Sequence, residues 1–383
     1  MNEDPEPRCR GCGGSRTRLV ADLGEQPASD DFPSTGAPGP DPRWPLRLFH
    51  CPDCLLVQLG PVATLPQEPV RAVESATSRH HAAMVACAVL SEHPALTTAT
   101  VREFASHHGG SWLPALTALG CRQVDTGPAS LVTDTHGLTH EPDLGEALAT
   151  RVDALAPDGL LVIEHHHLLP LVVEGQFDTI RHGHFSYLSL FAIRALGRRH
   201  GLEVVSATAE PVFGGSLRTV LAPAGAGFPV HPSVDAVLAA EKEAGLHDGS
   251  GLVTFADRAH RSAKALRAYL TEQRAAGRRV LGYGAPSKAA ILLGLAGVTE
   301  ALLEFTVDAA PLKHGLAIPG VRVPIRPVSD LVAARPPLVL LLTWDIAAEV
   351  VSQLEADGGW GTGYVLPLPL PHLLTDPGDG ATP

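Results

Sequence analysis

Two Cys-x-x-Cys pairs, Cys9/Cys12 and Cys51/Cys54, flank a segment punctuated by Pro27, Pro33, Pro38, Pro40, Pro42 and Pro45. Each knuckle puts two thiolates on one tight turn, and two knuckles close a tetrahedral four-sulfur zinc site. A stretch so rich in proline cannot build a core alone, so the metal is what holds it together. A closed four-thiolate site leaves no position open for substrate, which makes this zinc structural. Cys87 and Cys121 are isolated. Zinc knuckles suit a reducing compartment, and MNEDPEPRCRGC lacks the apolar core of a signal peptide, so a cytoplasmic location is expected.

The remaining sequence is that of a globular α/β protein. Its 383 residues, 45% hydrophobic and 18% charged, supply core for two or three domains. The net charge of −12 argues against nucleic-acid or anionic-membrane partners, which need a basic face. The pattern predicts a helix over 70–93, a strand over 101–104, a helix over 112–119 and strands over 121–125 and 130–133. A helix over 144–156 then turns at Pro157-Asp158-Gly159, where Pro sets φ and Gly permits positive φ, into an apolar strand over 160–163. Further on, a helix over 187–200 and strands over 203–209 and 217–221 are expected, then helices over 233–244 and 253–276. Strands over 279–283, 304–307 and 338–342 end in polar residues and each is followed by a helix, the first over 289–295. Such a pattern marks an open parallel sheet with ligands at the strands' carboxyl ends.

Several phrases, in order, resemble the deoxysugar C-methyltransferase family. They are CRGC with CPDC, GQFDTIRHGHFSYLSL (175–190), GGSLR (214–218), GYGAPSK (282–288), TVDAAPLKHG (306–315) and PGVRVPIRP (319–327). The resemblance implies an α/β chain of three parts. These are a zinc-ribbon-like module over 1–68, a Rossmann-like methyltransferase-type domain over 69–230, here truncated, and a Rossmann-like domain over 231–383 that binds the sugar nucleotide. It further implies S-adenosylmethionine as donor and a dTDP-4-keto-6-deoxysugar as acceptor, methylated at carbon 3. The zinc ligands are Cys9, Cys12, Cys51 and Cys54. Donor contacts fall on Glu103, Ser106, Gly109 and Asp125.

This chain departs from the family in its donor half. A family loop resembling E-x-G-S-N-D-G reads Glu103-Phe104-Ala105-Ser106-His107-His108-Gly109, so its first Gly and its Asn-Asp are lost. After Asp125 only four residues precede the next predicted strand, where the family has a helix, a strand and a helix. Four residues reach at most about 14 Å, so the two strands cannot be parallel neighbours. The sequence leaves an antiparallel hairpin or a single strand, and a reduced donor pocket.

Methylating a carbon next to a ketone needs a base and a group that stabilises the enolate. The family's Y-H-E-H becomes Arg181-His182-Gly183-His184, which keeps the proposed base, His184, and also His182. A further family histidine maps onto His140. The family tyrosine ahead of the central domain has no counterpart, since Ser75-Ala76-Thr77-Ser78 offers only hydroxyls. Histidines 107, 108, 136, 140, 165, 166, 167, 182 and 184 crowd this region. A second metal site would want acidic partners, and Glu164 is the only one at ligand spacing. Compositional drift around one or two catalytic histidines is therefore the reading adopted. In the C-terminal domain Gly282, Gly284, Ser287 and Lys288 form a turn that opens a helix and favours phosphate, and Arg326 lies in the PIRP phrase. Two alternatives follow from the departures: a non-methylating enzyme on the same scaffold (an epimerase or tautomerase, an eliminase, or a ketoreductase using a nicotinamide cofactor), and an inactive partner of another sugar-pathway enzyme.

Overall fold

The structure, a computed structural model, describes residues 7–61, 74–105 and 110–374. Its N-terminal part is an antiparallel sheet of β1 (Arg18–Pro27), β2 (Arg43–His50) and β3 (Val57–Leu59). A fourth strand, β8 (Ser186–Tyr187), pairs with β3 and comes from far along the chain. The two knuckles bring Cys9 Sγ to 3.4 Å from Cys54 Sγ and Cys12 Sγ to 3.6 Å from Cys51 Sγ. All four sulfurs lie within 4.8 Å of one another. A tetrahedral ion with Zn–S bonds of about 2.3 Å asks for sulfurs about 3.8 Å apart, so the four thiols fit zinc. Leu23, Leu46, Leu48 and Leu59 of this sheet are buried in the same core as the C-terminal helices, so the zinc sheet packs as part of a larger body.

The central sheet has the order β5-β4-β6-β7-β10-β9. Its strands are β4 (Thr100–Ala105), β5 (Arg122–Gln123), β6 (Ala129–Thr135), β7 (Leu155–His166), β9 (Leu202–Glu210) and β10 (Ser216–Pro223). The first four in this order are parallel, and β10 runs antiparallel to both of its neighbours. Side chains alternate across β7, as strand geometry requires. Leu160 and Val162 meet α1 (Ala76–Glu92) and α2 (Leu113–Ala118). Leu161 and Ile163 meet α3 (Leu144–Asp153), α5 (Leu190–Arg199) and α6 (Ser233–Glu243).

Two expectations need correction. The segments over 121–125 and 130–133 are both parallel strands, and they lie on opposite sides of β4 instead of pairing as a hairpin. This works because β5 has only two residues and pairs with Thr100 and Val101, at the start of β4. The chain therefore passes under the sheet's end and need not return the length of a strand. Pro157-Asp158-Gly159 is likewise not a turn ahead of β7 but an irregularity within it, where pairing jumps from Ala129↔Leu155 to Leu131↔Leu160. Gly159 does not have positive φ. A Cβ there would come within 3.1 Å of the Ala129 and Ser130 carbonyl oxygens, so the glycine permits close backbone approach.

The C-terminal sheet has the order β13-β12-β11-β14-β15-β16 and is parallel except for β16. Its strands are β11 (Val280–Tyr283), β12 (Thr306–Val307), β13 (Ile325–Arg326), β14 (Leu338–Leu341), β15 (Gly363–Leu366) and β16 (His372–Leu373). On one side α7 (Phe255–Ala275) and α8 (Lys288–Ala296) share the zinc sheet's core, together with α4 (Leu168–Val173). On the other lie α9 (Val328–Ala334) and α10 (Ala347–Ala356). Among the described residues no helix is long and apolar enough to cross a membrane.

Side chains lock the parts together. Glu349 of α10 accepts from the Ala76 and Thr77 amides at the start of α1 (3.0 and 2.9 Å). Arg322 pairs with Asp41 of the proline-rich segment at 2.6 Å. Trp344 Nε1 donates to buried Asp178 at 2.8 Å, and burial pushes the Asp178 carboxyl up to about 6 despite Lys288 and this bond. A raised folded-state pKa means stability is lost as pH climbs from about 4 to about 6. Asp178→Asn keeps an acceptor for Trp344 and removes that loss. Its melting temperature relative to the parent should rise between pH 4 and pH 7 in calorimetry, by the equivalent of up to roughly 3 kcal/mol; an offset that does not change with pH would contradict this. For the thiolate cluster, elemental analysis should find about one equivalent of zinc in the parent and none in Cys54→Ser. The substitution should also lower the melting temperature by more than 10 °C, a loss of several kcal/mol.

Candidate functional site

The carboxyl ends of β6, β7, β11, β12 and β14 converge on one cavity of about 590 Å³. The zinc part contributes Asp30 and Phe32 to it, so all three parts of the chain meet there. Strand ends are where parallel sheets expose backbone amides and polar side chains to ligands.

On the central side a carboxylate organises two imidazoles. Glu164, at the end of β7, is 1% exposed. His81 of α1 donates from Nε2 to both of its oxygens (2.9 and 3.0 Å), and His136, just beyond β6, donates from Nε2 to Oε1 (3.1 Å). Burial alone would raise the Glu164 pKa, but these two hydrogen bonds hold it down at about 2, so it is ionised. Phe213 sets its edge against both imidazoles. From His136 the rings continue to His166 (4.9 Å between centroids), from there to His184 (5.8 Å), and from His184 to His140 (4.8 Å). Burial holds His166 well below its ordinary pKa.

His184 is fixed by its own loop. Its Nδ1 lies 3.2 Å from the Thr179 carbonyl, which can only accept. Nδ1 therefore carries the proton, and Nε2 is the basic nitrogen. Gly183 has φ +94°, a conformation that suits glycine in this turn. Arg181, where the family has tyrosine, is buried and pairs with Asp30 at 2.7 Å. The β3–β8 pairing follows within three residues of His184.

On the C-terminal side Gly284 has φ +91°, and a Cβ would come within 2.6 Å of Thr343. Carboxylates already take up much of this turn's donor capacity. Asp308 accepts from the Ala285 and Ala310 amides (2.7 and 2.8 Å), and the Ser287 hydroxyl donates to Asp30. Lys288 sits 4.0 Å from the Trp344 ring centroid and pairs with Asp345 at 2.6 Å. Lys313 is 2.8 Å from the Ala285 carbonyl oxygen and 3.5 Å from Asp308.

The structure thus brings His184, His140, Gly284, Ser287 and Lys288 together around the cavity. It does not bring the other expected residues there. His182 lies against the Pro27 and Pro45 carbonyls (3.2 Å each) and fastens its loop to β1 and β2. Gly282 is inside β11, where a Cβ would strike Thr306 at 2.6 Å. Arg326 stacks on Phe305, with 4.3 Å between the guanidinium carbon and the ring centroid. Glu103 is occupied by the Trp112 amide (2.7 Å) and the Ser111 hydroxyl, and burial raises its pKa. Asp125 is exposed on the β5–β6 link, bonded to Gln123 at 3.0 Å. Ser106 and Gly109, with His107 and His108, lie outside the described residues.

The triple histidine divides by role. His165 is buried, with a pKa pushed down to about 3 by desolvation, and His167 pairs with Glu241 at 2.8 Å. Glu241 also takes the Leu190 and Phe191 amides at the start of α5. Of the histidines crowded here, His136 has a carboxylate partner in Glu164. Sequence reasoning missed His81 altogether. Glu164, singled out in the sequence as the one acidic residue at ligand spacing, is the residue that His81 meets.

Comparison with known proteins finds matches to two parts of the chain. A model described as "C-methyltransferase C-terminal domain" matches residues 211–369, and one described as "Putative zinc binding domain" matches residues 9–66. The C-methyltransferase NovU of Streptomyces niveus is 35% identical over 249 residues, 65% of this chain and 59% of that protein. The chain thus spans less than two thirds of its curated relative. Among solved structures, the Burkholderia thailandensis 1,6-didemethyltoxoflavin-N1-methyltransferase with bound S-adenosylhomocysteine is 15% identical. It covers 46% of this chain and 98% of its own, with a TM-score of 0.28. The magnesium protoporphyrin IX methyltransferase of Synechocystis PCC 6803 is 13% identical over 39% and 84%, with a TM-score of 0.30. Scores this low leave the comparison resting on sequence. The chain therefore carries a match to a putative zinc-binding domain near its start and to a C-methyltransferase C-terminal domain over its last part, and it is similar in sequence to a C-methyltransferase.

Proposed function

We propose that this chain forms an enolate from a nucleotide-linked keto-deoxysugar, with His184 Nε2 removing the proton next to the ketone, and that the enolate carbon is then methylated. The observation that carries this reading is the 3.2 Å contact between His184 Nδ1 and the Thr179 carbonyl, on the wall of the cavity. The His184 Nδ1–H is committed to Thr179, which turns the basic nitrogen to the task a carbon acid requires. The cavity spans the central and C-terminal parts, a fitting arrangement for a substrate with a sugar at one end and a nucleotide at the other. Lys288 at the start of α8 is the cation best placed for its phosphates. S-adenosylmethionine, when bound, supplies an electrophilic methyl group. Glu103 is engaged elsewhere and Asp125 lies outside the cavity, so no donor contact is assigned to either.

That placement favours a second reading, in which the enolate is reprotonated and the chain is an epimerase or tautomerase on a C-methyltransferase scaffold. Calorimetric titration with S-adenosylmethionine and S-adenosylhomocysteine separates the two. Micromolar binding, followed by methyl transfer to a dTDP-4-keto-6-deoxysugar, supports the first; no binding by the folded zinc-loaded protein rules it out.

Whichever reading holds, the parent should exchange the proton next to the ketone with D2O, followed by NMR, and His184→Asn should slow exchange by about 100-fold or more. Undiminished exchange in the variant would remove His184 from the chemistry. Asp345 competes with phosphate for Lys288. Asp345→Asn should therefore tighten dTDP binding by about tenfold in calorimetry, the equivalent of about 1.4 kcal/mol. Unchanged affinity would place the nucleotide elsewhere.

A further inference from the structure

The Glu164 cluster has the construction of an acid–base device separate from His184. Glu164 is ionised and accepts only, so the His136 nitrogen bonded to it is Nε2–H, and the unprotonated nitrogen is Nδ1. A carboxylate that holds one imidazole nitrogen while the other is left to take a proton is the arrangement of a base with its orienting group. Nδ1 of His136 is buried and has no hydrogen-bond partner among the described residues. Phe213 and His166 cover its ring, which shields that nitrogen from bulk water.

The backbone adds an independent observation. His136 has φ +62°, a left-handed conformation uncommon for a non-glycine residue, although histidine adopts it more readily than most. Strain of this kind persists where the surroundings enforce it, and it concentrates at functional sites. It is enforced here by the His136 amide, which donates to the Glu164 carbonyl at 2.8 Å. The same residue, Glu164, therefore fixes both the backbone and the ring of His136.

We propose that His136 is a second proton-transfer residue of this cavity, oriented by Glu164 and two rings away from His184, and that the chain returns a proton to its substrate as well as removing one. When His184 Nε2 takes the proton, the C–H bond breaks and its electron pair passes into the enolate. His136, neutral at rest and protonated at Nδ1 only during turnover by water admitted with the substrate, gives that proton to the enolate carbon or oxygen and returns to the neutral Nε2–H form, while His184 releases the proton it took to solvent. No oxidant, reductant or third reactant is consumed, and the product is an isomer of the ketone. Glu164 stabilises the imidazolium stage. The substrate in this statement rests on the keto-sugar reading; the state of His136 does not.

Two measurements on the zinc-loaded full chain test this. The first needs no substrate. Long-range proton–nitrogen NMR spectra are recorded on the parent, on Glu164→Gln and on His136→Asn, which assigns the His136 signal. Asn tolerates the left-handed backbone, so this variant should fold. The proposal expects an unprotonated Nδ1 at His136 in the parent and a mixture of tautomers in Glu164→Gln. A parent His136 protonated at Nδ1 overturns it.

The second uses a dTDP-4-keto-6-deoxysugar in D2O with no methyl donor. The parent should both exchange the proton next to the ketone and form an isomer. His136→Asn should keep the exchange while losing isomer formation by tenfold or more, whereas His184→Asn loses both. Isomer formation at the parent's rate in His136→Asn overturns the proposal. A parent inert toward keto-sugars, but with the expected nitrogen spectrum, counts against the keto-sugar reading and still supports the His136 assignment.

Discussion

The pairing of β3 with β8 ties the metal to the chemistry. The zinc thiolates fix the turn of Cys51 and Cys54, and β3 begins three residues after it. The strand β8, which β3 holds by backbone hydrogen bonds, begins two residues after His184. His184 therefore sits in a loop clamped at one end by the zinc sheet and, through Arg181 and Asp30, against a second element of the same module. Backbone pairing transmits position over a few residues with little slack, so the four-cysteine cluster helps to set the geometry of the His184 loop. It also accounts for a proline-rich segment at this point in the fold. The zinc part is one wall of the cavity, and the cavity is complete only when that part is folded.

The cavity gathers imidazoles on its central side and carboxylates on its C-terminal side. Glu164 gathers two imidazoles on the central side, and neutral His166 joins them to His184. Across the cavity Asp308, Asp30 and Asp345 hold the loop amides, the Ser287 hydroxyl and Lys288. These carboxylates pre-order the turn at the start of α8, and Lys288 is already paired with Asp345.

Much of the framework was legible in the sequence because it follows from short-range chemistry. Cysteine spacing located the metal site, and apolar strands ending in polar residues located the cavity's C-terminal wall. A phrase of sixteen residues marked the His184 loop. What the sequence hid were contacts between distant segments. Nothing in the composition of α1 announces that His81 will meet Glu164, since the two approach only when the helix packs on the sheet. Glu103 and Asp125 occupy family positions, yet one is spent on a local amide and the other sits beyond a two-residue edge strand. The β5–β6 link was misread because a full-length strand was assumed. With only two residues to retrace, five residues (124–128) reach across β4.

The central claim is that His184, in a cavity shared by the zinc, central and C-terminal parts, acts on the carbon next to a ketone. A crystal structure of the zinc-loaded protein with a dTDP-4-keto-6-deoxysugar tests it most directly. The account predicts the nucleotide toward Lys288 and the start of α8, with the carbon beside the ketone within about 3.5 Å of His184 Nε2. A sugar bound with its ketone remote from His184, or a nucleotide seated outside this cavity, would contradict it.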